Sequence, residues 1–564
     1  MRKGQRFSRW PLLVAVVGLS AALVPPVIAS AAGIGKGSIG PRSGATGSGK
    51  AASSITRAGT SIRATPLKSP PKLTPGQRRQ VEKGMANSGR PGPAGKVYGG
   101  PFPAASGPGV TVRATGQQSP RNPSKLFRNT SLPSGGLRSA VNEPSTDANG
   151  KFIFATGNWY AARSNNNGGA TSWTYIDPFT LFGSGFCCDQ VTVYDAGRGR
   201  QFWLLQFGDH LVLANSNGTD LLGWCYYNWY PSDFGFSAGV SFDYNHMALS
   251  TNFVYVTTNV YGASGGSLVF RTPIDPQVTC GGFSYSWVYR TTEFSNAFVQ
   301  GAGDIMYWGS NWTDLTLGTG FRVLRWADNT GTYFWYDRTI DAFPFMFINS
   351  GQNCASSNGV VLNWCQRTDS RMSGGGYLAI PSLAESNTGG SPETDAILGF
   401  AFNATQDGGH PYPYIRRVYF RLSDVAYLGY SELWCTNCAQ LYPDMAPNAR
   451  GHIGIVWAFG GGSSNTYPGS GYTVDDDLAP FQPWDYNFYQ FGSGNACLNS
   501  DGYRRWGDYL TVRAWNPPRT LWQGTGFALT ADAGSCSSTA SVQIKNIVFG
   551  QTRDTASYNR WKKK

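Results

Sequence analysis

The sequence predicts an all-β protein folded as a β-propeller with seven blades. One short theme recurs seven times between Glu143 and Gly526: a polar or proline-containing opening, an extended run, a Gly/Asn turn and a second extended run. The 564 residues include 72 Gly and are 14% aromatic, and the second half has no long stretch with helical periodicity. Together these features are typical of a large all-β domain built from repeats.

The repeats define the predicted propeller domain, residues 139–564. The clearest copies begin at Asp243, Tyr442 and Trp506, and weaker ones at Glu143, Cys188, Asn296 and Ser370. Spacings of 45 to 74 residues leave room for four short strands and their loops. A unit of this size cannot bury both of its faces alone, so we expect the copies to pack radially as blades. The residues that open each first strand should then converge on one mouth of an axial channel.

The N-terminus has the features of a secretory signal peptide, residues 1–31. Four basic residues precede an apolar run over 11–28, and small residues follow. This order favours a cleaved signal over the alternative, an uncleaved anchor. No other segment has the roughly 18 to 20 apolar residues that a membrane span needs. We therefore expect a secreted, extracellular protein, soluble or associated with a cell wall.

Residues 32–138 are predicted to be a basic, disordered linker or pro-segment. Residues 1–138 hold 21 of the 46 Lys and Arg but one acid, Glu82, so that residues 139–564 carry a net charge of −7. The linker is rich in Gly, Ser and Pro and poor in aromatic residues, and cannot bury enough surface to offset its ordering entropy. Thr74 and Pro75 could begin one short helix. The linker is a solvated spacer or a tether to an anionic cell surface, whereas the acidic propeller argues against nucleic acid as a partner. We expect a monomer.

All ten cysteines lie in the repeat domain, and an even number in an exported chain predicts five disulfides. Cys354 with Cys365, and Cys497 with Cys536, would close local loops. Cys435 and Cys438 have the spacing of a zinc-binding pair, but the four His are scattered, so a disulfide is expected there. Cys187 and Cys188 either form a vicinal disulfide, a flat platform beside a ligand, or pair with distant partners.

Carboxyl groups recur where the first strands open and predict a binding face at the channel mouth. The residues at these positions are Glu143, Asp189, His246, Asp369, Arg371, Asp444 and Asp508. Crowded carboxylates shift one another's pKa and can divide into acid and base. In the alternative interpretation each side chain caps a loop by accepting backbone hydrogen bonds.

Arginines and aromatic residues add to this predicted site. Arg371, Arg417 and Arg513 fall in corresponding parts of the last three repeats and could clamp a carboxylate bidentately, or pair with Asp between blades. The aromatic segment over 224–231 offers rings suited to sugar faces, although most such rings should be core. The chain lacks the sequence motifs of metalloproteases, phosphate-binding loops and dinucleotide sites. No cofactor is expected, and the acidic run over 475–477 is a solvated turn or a structural calcium site.

Two segments resemble the sialidase-like propellers that carry BNR repeats, or Asp-boxes. Asn142-Glu143-Pro144-Ser145 resembles an inner strand, and residues 163–173 resemble a degenerate Asp-box, which in that family forms a hairpin turn on the outer rim. The resemblance covers residues 139–554 and implies a propeller, usually with six blades. It also implies an Arg triad matched by Arg371, Arg417 and Arg513, a Tyr nucleophile at Tyr509, and an acid at Asp508 or Asp189. The family's Phe-Arg-Ile-Pro motif is absent, which leaves room for other chemistries on this scaffold.

The expected function is therefore that of a secreted carbohydrate-active propeller. It would bind a polysaccharide or glycoconjugate at the channel mouth and cleave it as a glycoside hydrolase or polysaccharide lyase. Catalysis is assigned to Asp508, Tyr509, Asp189 and Glu143, and substrate binding to Arg371, Arg417, Arg513, His246 and Asp444. The alternative is a noncatalytic glycan-binding or adhesion protein on the cell surface.

Overall fold

The predicted repeats form the seven blades of a β-propeller, each a four-stranded antiparallel sheet. The computed structural model describes residues 29–31, 46–79, 124–133, 138–183, 185–262, 265–311, 319–379, 396–475, 486–517 and 519–562. Each blade's first strand contacts the first strands of the two neighbouring blades, and blade 7 contacts blade 1. The ring is therefore closed around a central channel, as the sequence predicts.

Blades 1 to 4 follow the chain without interruption. Their strands, from the channel outwards, are Ser145–Asn149, Phe152–Gly157, Tyr160–Ser164 and Trp173–Ile176; Phe186–Asp195, Arg200–Phe207, Leu211–Ser216 and Gly223–Trp229; Ser241–Leu249, Phe253–Tyr261, Ser267–Pro273 and Ser284–Arg290; and Ala297–Gln300, Ile305–Ser310, Gly320–Ala327 and Thr332–Thr339. The predicted starts of these four repeats lie within a few residues of the observed first strands.

Blades 5 to 7 contain two long insertions and close the ring. Their strands, again from the channel outwards, are Gly376–Ala379, Ile397–Ala404, Tyr414–Arg421 and Tyr427–Cys435; Ala439–Pro447, Ile453–Gly461, Thr466–Asp475 and Asn487–Gln490; and Val512–Trp515, Leu521–Leu529, Val542–Gln551 and Ser124–Ser131. The outer strand of blade 7 thus comes from the N-terminal side of the chain, and its pairing with Val542–Gln551 joins the two ends of the ring.

The helices of the described residues are few and short, because the sheets supply nearly all of the core. The α-helices are Pro178–Leu181, Ile274–Val278 and Thr555–Lys562, with 3-10 turns at Pro231–Phe234 and Thr552–Asp554. Residues 75–79 are also helical, and Thr74 and Gln77 cap each other's backbone N–H groups as a capping box. The predicted helix start at Thr74 is confirmed. No helix among the described residues is long and apolar enough to cross a membrane.

Part of the segment predicted to be disordered forms a belt around the ring. Thr46–Lys50 adds a fifth strand to blade 4, Ala52–Ile55 to blade 3 and Thr60–Arg63 to blade 2, and Leu67 bridges to blade 1. Ala29–Ala31, within the predicted signal peptide, pairs in the same way with blade 5. The prediction of disorder does not hold for the belt, residues 46–67, or for Ser124–Ser131, which is the outer strand of blade 7; the propeller thus includes residues before the predicted boundary at 139. The rest of the signal-peptide range and much of the linker lie outside the described residues.

The belt is held by backbone pairing, and glycines allow it to lie close to the blades. Most of its side chains are exposed, so its stability comes from hydrogen bonds to outer strands that would otherwise have unpaired edges. A Cβ on Gly47 would lie 2.2 Å from the Trp335 ring, and one on Gly59 would lie 2.5 Å from Cys225 Sγ. Glycine therefore lets the belt lie directly on large side chains of the blades.

Gly47→Val is expected to detach the belt from blade 4, because its Cβ has no room beside Trp335. We expect a loss of about 1–3 kcal/mol and faster amide hydrogen exchange over 46–50. Ser48→Val is the matched control, since Ser48 is exposed in the same strand. Equal exchange over 46–50 in the two variants would contradict this role of the glycine.

The ten cysteines form five pairs, as predicted: Cys187–Cys188, Cys225–Cys280, Cys354–Cys365, Cys435–Cys438 and Cys497–Cys536. Both predicted local loops and the disulfide at the zinc-like spacing are confirmed. At the vicinal pair the local pairing is observed. Both of its cysteines are buried, so the pair is packed inside the first strand of blade 2.

Candidate functional site

The mouth of the channel is the end at which the seven first strands begin, and two insertions lie over it. The insertions precede the first strands of blades 5 and 7, and we call residues 340–375 and 491–511 the cap. The cap is held by Cys354–Cys365 and by Cys497–Cys536. Within and beneath it the Trp506 ring stacks on Phe527 at 4.0 Å and on Tyr442 at 5.5 Å. Disulfides and ring stacking therefore hold the cap over the predicted site.

Backbone irregularities turn side chains toward the mouth. The first strands of blades 2, 3 and 6 each carry a β-bulge, and Tyr244 and Tyr442 in two of these bulges have positive φ angles of 61° and 56°. Glu143, just before the first strand of blade 1, has φ 46°. Bulges and left-handed residues re-aim side chains that regular alternation would place elsewhere. The repeat thus supplies one such position in several blades.

Arg505 is the centre of a buried charge cluster at the mouth. Its Nη2 donates to Glu143 Oε1 at 3.1 Å and to Asp508 Oδ2 at 2.7 Å, and Asn158 Nδ2 donates to Glu143 Oε2 at 2.8 Å. Asp189 and Asp243 are close enough to Glu143 and Arg505 to interact electrostatically with both. The mouth cluster is therefore four carboxyl groups around one guanidinium, and it unites the predicted residues Glu143, Asp189 and Asp508.

Burial affects the pKa of the carboxyl groups in the mouth cluster. Burial raises the pKa of Glu143 to about 7, against the lowering effect of Arg505. Burial, followed by the charges of Glu143 and Asp243, raises the pKa of Asp189 well above its usual range, and Asp189 Oδ1 has no hydrogen-bond partner among the described residues. Asp508 is the member whose side chain reaches the surface, with 11% exposed. Two carboxyl groups of the cluster thus have a raised pKa, and a third, Asp508, reaches the surface.

A second layer of polar side chains lies deeper in the channel. His246, Tyr509, Asp444 and Arg513 line a cavity of about 10 Å³, which has room for about one water molecule. His246 Nε2 and the Tyr509 hydroxyl are buried and have no hydrogen-bond partner among the described residues. Burial, and secondarily Arg513, lowers the pKa of His246 to about 3, so the imidazole is neutral at physiological pH.

Asp444 acts as a loop cap, the alternative interpretation of these carboxylates. It accepts hydrogen bonds from the backbone N–H of Met445 at 2.9 Å, from that of Val512 at 2.7 Å, and from that of Gly375. Arg513 Nη1 donates to the same carboxylate at 2.9 Å. Asp444 therefore ties together the first strands of blades 5, 6 and 7.

The three predicted arginines do not gather around one point, because each forms an ion pair with a different Asp. Arg371 forms a bidentate pair with Asp369, 2.7 Å for each bond, and its guanidinium lies 4.8 Å from the Tyr244 ring. Arg417 is buried on the third strand of blade 5 and pairs with Asp475 of blade 6. The structure therefore places Arg371 and Arg513 at the channel and Arg417 between blades.

Sequence reasoning missed Arg505, the residue that organises the cluster. It lies in an insertion and not at a repeat position, so the repeat pattern did not single it out. The nearby signal was its spacing of three residues from Asp508. The predicted sugar-binding aromatics are mostly core: Trp224 and Trp229 are buried, and Tyr230 is 40% exposed. The described residues contain no group of three or more His, Cys, Asp or Glu arranged to hold a metal ion, and Asp476 and Asp477 lie outside them.

The degenerate Asp-box segment does form a hairpin turn. Residues 165–172 join the third and fourth strands of blade 1, where Trp173 Nε1 donates to the Gly168 carbonyl at 3.1 Å and Gly168 N–H donates to Ser164 Oγ at 2.8 Å. Asn166 stands at the position of the motif's Asp. Residues 165–172 therefore form a hairpin turn held by side-chain contacts to the backbone.

The similarity of this chain to known proteins is found among solved structures, at low identity. No protein-family model matches it, and no curated protein matches it. Among solved structures, a Pseudomonas brassicacearum lignostilbene dioxygenase aligns at TM-score 0.35 and 10% identity, over 62% of this chain and 72% of its own. The subtype N10 neuraminidase-like protein of A/little yellow-shouldered bat/Guatemala aligns at 0.30 and 9%, over 60% and 96%. A family PL25 ulvan lyase aligns at 0.29 and 10%, over 60% and 78%. The assignment of seven blades is based on the strand pairing of this chain and not on these alignments.

Proposed function

We propose that this chain is an exported glycoside hydrolase that cleaves a glycan at the mouth of the propeller. The observation that carries the proposal is the contact of one Arg505 nitrogen with both Glu143 and Asp508. Their nearest carboxylate oxygens therefore lie less than about 6 Å apart, within reach of the roughly 5 to 9.5 Å that separates glycosidase carboxyl pairs. A pair in different environments is what acid and base roles require.

The proposed catalytic roles follow from the raised pKa of Glu143 and from the exposure of Asp508. Glu143, with a pKa of about 7, keeps a proton near neutral pH and would protonate the oxygen of the leaving sugar. Asp508 reaches the surface and is held in place by Arg505; it would act as the nucleophile. The short separation fits a retaining mechanism with a glycosyl-enzyme intermediate. Glu143 has no exposed surface, so a sugar must approach from the Asp508 side, with a shift of the cap over 506–509.

A second candidate reaction is β-elimination of a uronate-containing polysaccharide. His246 and Tyr509 supply a neutral imidazole and an unpartnered hydroxyl on one cavity, and general acid–base catalysis of proton removal uses such groups. This reaction would depend on Tyr509 and not on Glu143, so the two candidates differ in which substitution abolishes them.

The test is a screen of the purified, oxidised full chain against acidic and neutral polysaccharides, with readouts for new reducing ends and for unsaturated uronate absorbance. Asp508→Asn is expected to lower the release of reducing ends by about 100-fold or more. Asp501→Asn is the matched control, because Asp501 lies in the same cap segment and also pairs with an arginine, Arg367, but at the surface.

Three outcomes of the screen distinguish the hydrolase, the lyase and the noncatalytic protein. New ends lost in Asp508→Asn and kept in Asp501→Asn support the hydrolase. Unsaturated products in place of hydrolysis would move the assignment to the lyase. Retention of a glycan without any new ends would sink both reactions and leave the noncatalytic glycan-binding protein.

A further inference from the structure

The face of the ring opposite the mouth carries a patch of basic side chains. First strands begin at the mouth, so the loops that follow them lie at the other end of the channel. In blades 1, 6 and 7 these loops carry Lys151, Arg450 and Arg519, and the chain beyond the third strand of blade 7 adds Arg553, Arg560 and Lys562. We call these six residues the basal patch.

Backbone contacts join the basal patch into one surface. Gly150 N–H donates to the Asn516 carbonyl at 2.6 Å, which places the loop of blade 1 beside that of blade 7. Ala449 N–H donates to the Arg519 carbonyl at 2.7 Å, which joins the loops of blades 6 and 7. Arg450 Nη2 pairs with Asp554 at 2.7 Å and so fixes the start of the C-terminal helix beside them. The patch therefore spans three blades and a helix.

Basic side chains outnumber the acids near the basal patch, where Asp554 pairs with Arg450 and Asp147 interacts electrostatically with Arg519. Five of its six members are exposed, and Arg450 has 35% of its side chain exposed. Asp554 is the single acid among the described residues of these segments, and it is fully buried against Arg450. Residues 139–564 carry a net charge of −7, so the positive charge is concentrated here against the average of the domain. A surface of one charge sign attracts anions and raises their local concentration.

We propose that the basal patch is a binding site for an anionic polysaccharide, separate from the mouth and independent of cleavage there. Guanidinium groups match carboxylates and sulfates bidentately, and a row of them across three blades suits a chain with regularly repeated charges. The large exposed apolar side chains of the described residues, such as Ile55, Val360 and Phe491, all lie outside the patch, whereas interfacial membrane anchors combine basic and apolar groups. The surface thus favours a polymer of charged sugars over a bilayer.

The site is tested by binding to heparin and polygalacturonate, with dextran as the neutral probe, in the full-length Asp508→Asn chain at two salt concentrations. The added substitutions Arg519→Gln, Arg560→Gln and Lys562→Gln should weaken binding by about 10- to 100-fold and flatten its salt dependence. Arg57→Gln, Lys68→Gln and Lys72→Gln form the matched control, since these exposed residues of the N-terminal segment give the same change in net charge.

Several results would overturn the proposal. These are equal affinity of the two triple variants, binding of the charged probes no tighter than that of dextran, and preference of the patch for phosphatidylserine vesicles or duplex DNA. A second measurement does not depend on the variants' folding: heparin should protect Lys151 and Lys562 of the Asp508→Asn chain from acetylation, and unchanged labelling of both would equally reject the site. Because turnover is not measured, failure of the hydrolase assignment leaves this test intact.

Discussion

Arg505→Met is expected to lower the free energy of unfolding by about 3–5 kcal/mol at pH 8, the cost of leaving buried charges without their partner. Arg505 supplies the positive charge that is paired with both Glu143, which is fully buried, and Asp508, which is nearly so. The loss should shrink toward pH 5, because carboxyl groups whose folded pKa is raised take up protons and become neutral. Urea unfolding at the two pH values measures both effects.

Two further variants test the physical reason for that loss. Arg505→Met combined with Glu143→Gln and Asp508→Asn should be more stable at pH 8 than Arg505→Met alone, since no unpaired charge remains at these positions. Arg322→Met is the matched control, because Arg322 also bridges two buried acids, Glu293 and Asp337, but away from the channel. It should lose stability while its folded fraction keeps glycan cleavage. A triple variant less stable than Arg505→Met would show that packing, not charge, decides the cost.

Glu143→Gln is expected to reduce turnover by about 100- to 10,000-fold, the usual contribution of a general acid. In the wild type, cleavage should decline as pH rises through about 7, because Glu143 then loses its proton and the ionised form cannot protonate the leaving group. Glutamine does not titrate, so the residual rate of the variant should have no such limb. A pH–rate profile of both proteins on the best substrate of the screen measures the difference.

Glu293→Gln is the matched control for this substitution. Glu293 is also buried and bound to arginines, Arg290 and Arg322, outside the mouth cluster. It should keep both the rate and the pH limb in its folded fraction. A pH limb that survives in Glu143→Gln would transfer the acid role to another group, with Asp189 the next candidate because of its raised pKa.

The predictions that succeeded are those in which local pattern and tertiary role coincide. The repeat pattern predicted where each first strand begins, because every blade requires alternating residues in its strands and turn residues between them. Glu143, Asp189 and Asp508 were brought together for the same reason: the openings of first strands all meet at one mouth. The disulfides at Cys354–Cys365 and Cys497–Cys536 were readable because they close local loops.

The belt and the arginines show where local pattern is insufficient. Residues 46–67 contain few large apolar residues and no aromatic residue, yet they pair through backbone groups and through glycines that fit against Trp335 and Cys225. Arg417 was expected at the channel because it falls in a corresponding part of its repeat, but it lies on a third strand and meets blade 6 instead. A strand's neighbours are set by the order of sheets, which no short pattern contains.

The sequence by itself therefore determined the class of fold, the number of repeats, the five disulfides as a count and the face on which the acidic residues meet, because each follows from spacing along one chain. Tertiary structure alone decided that Arg505 lies between Glu143 and Asp508, that each predicted arginine already has an aspartate, and that a basic surface forms beneath blades 6, 7 and 1. These depend on which side chains from distant segments share a buried or exposed position. Charge balance and burial at such positions are properties of the assembled ring.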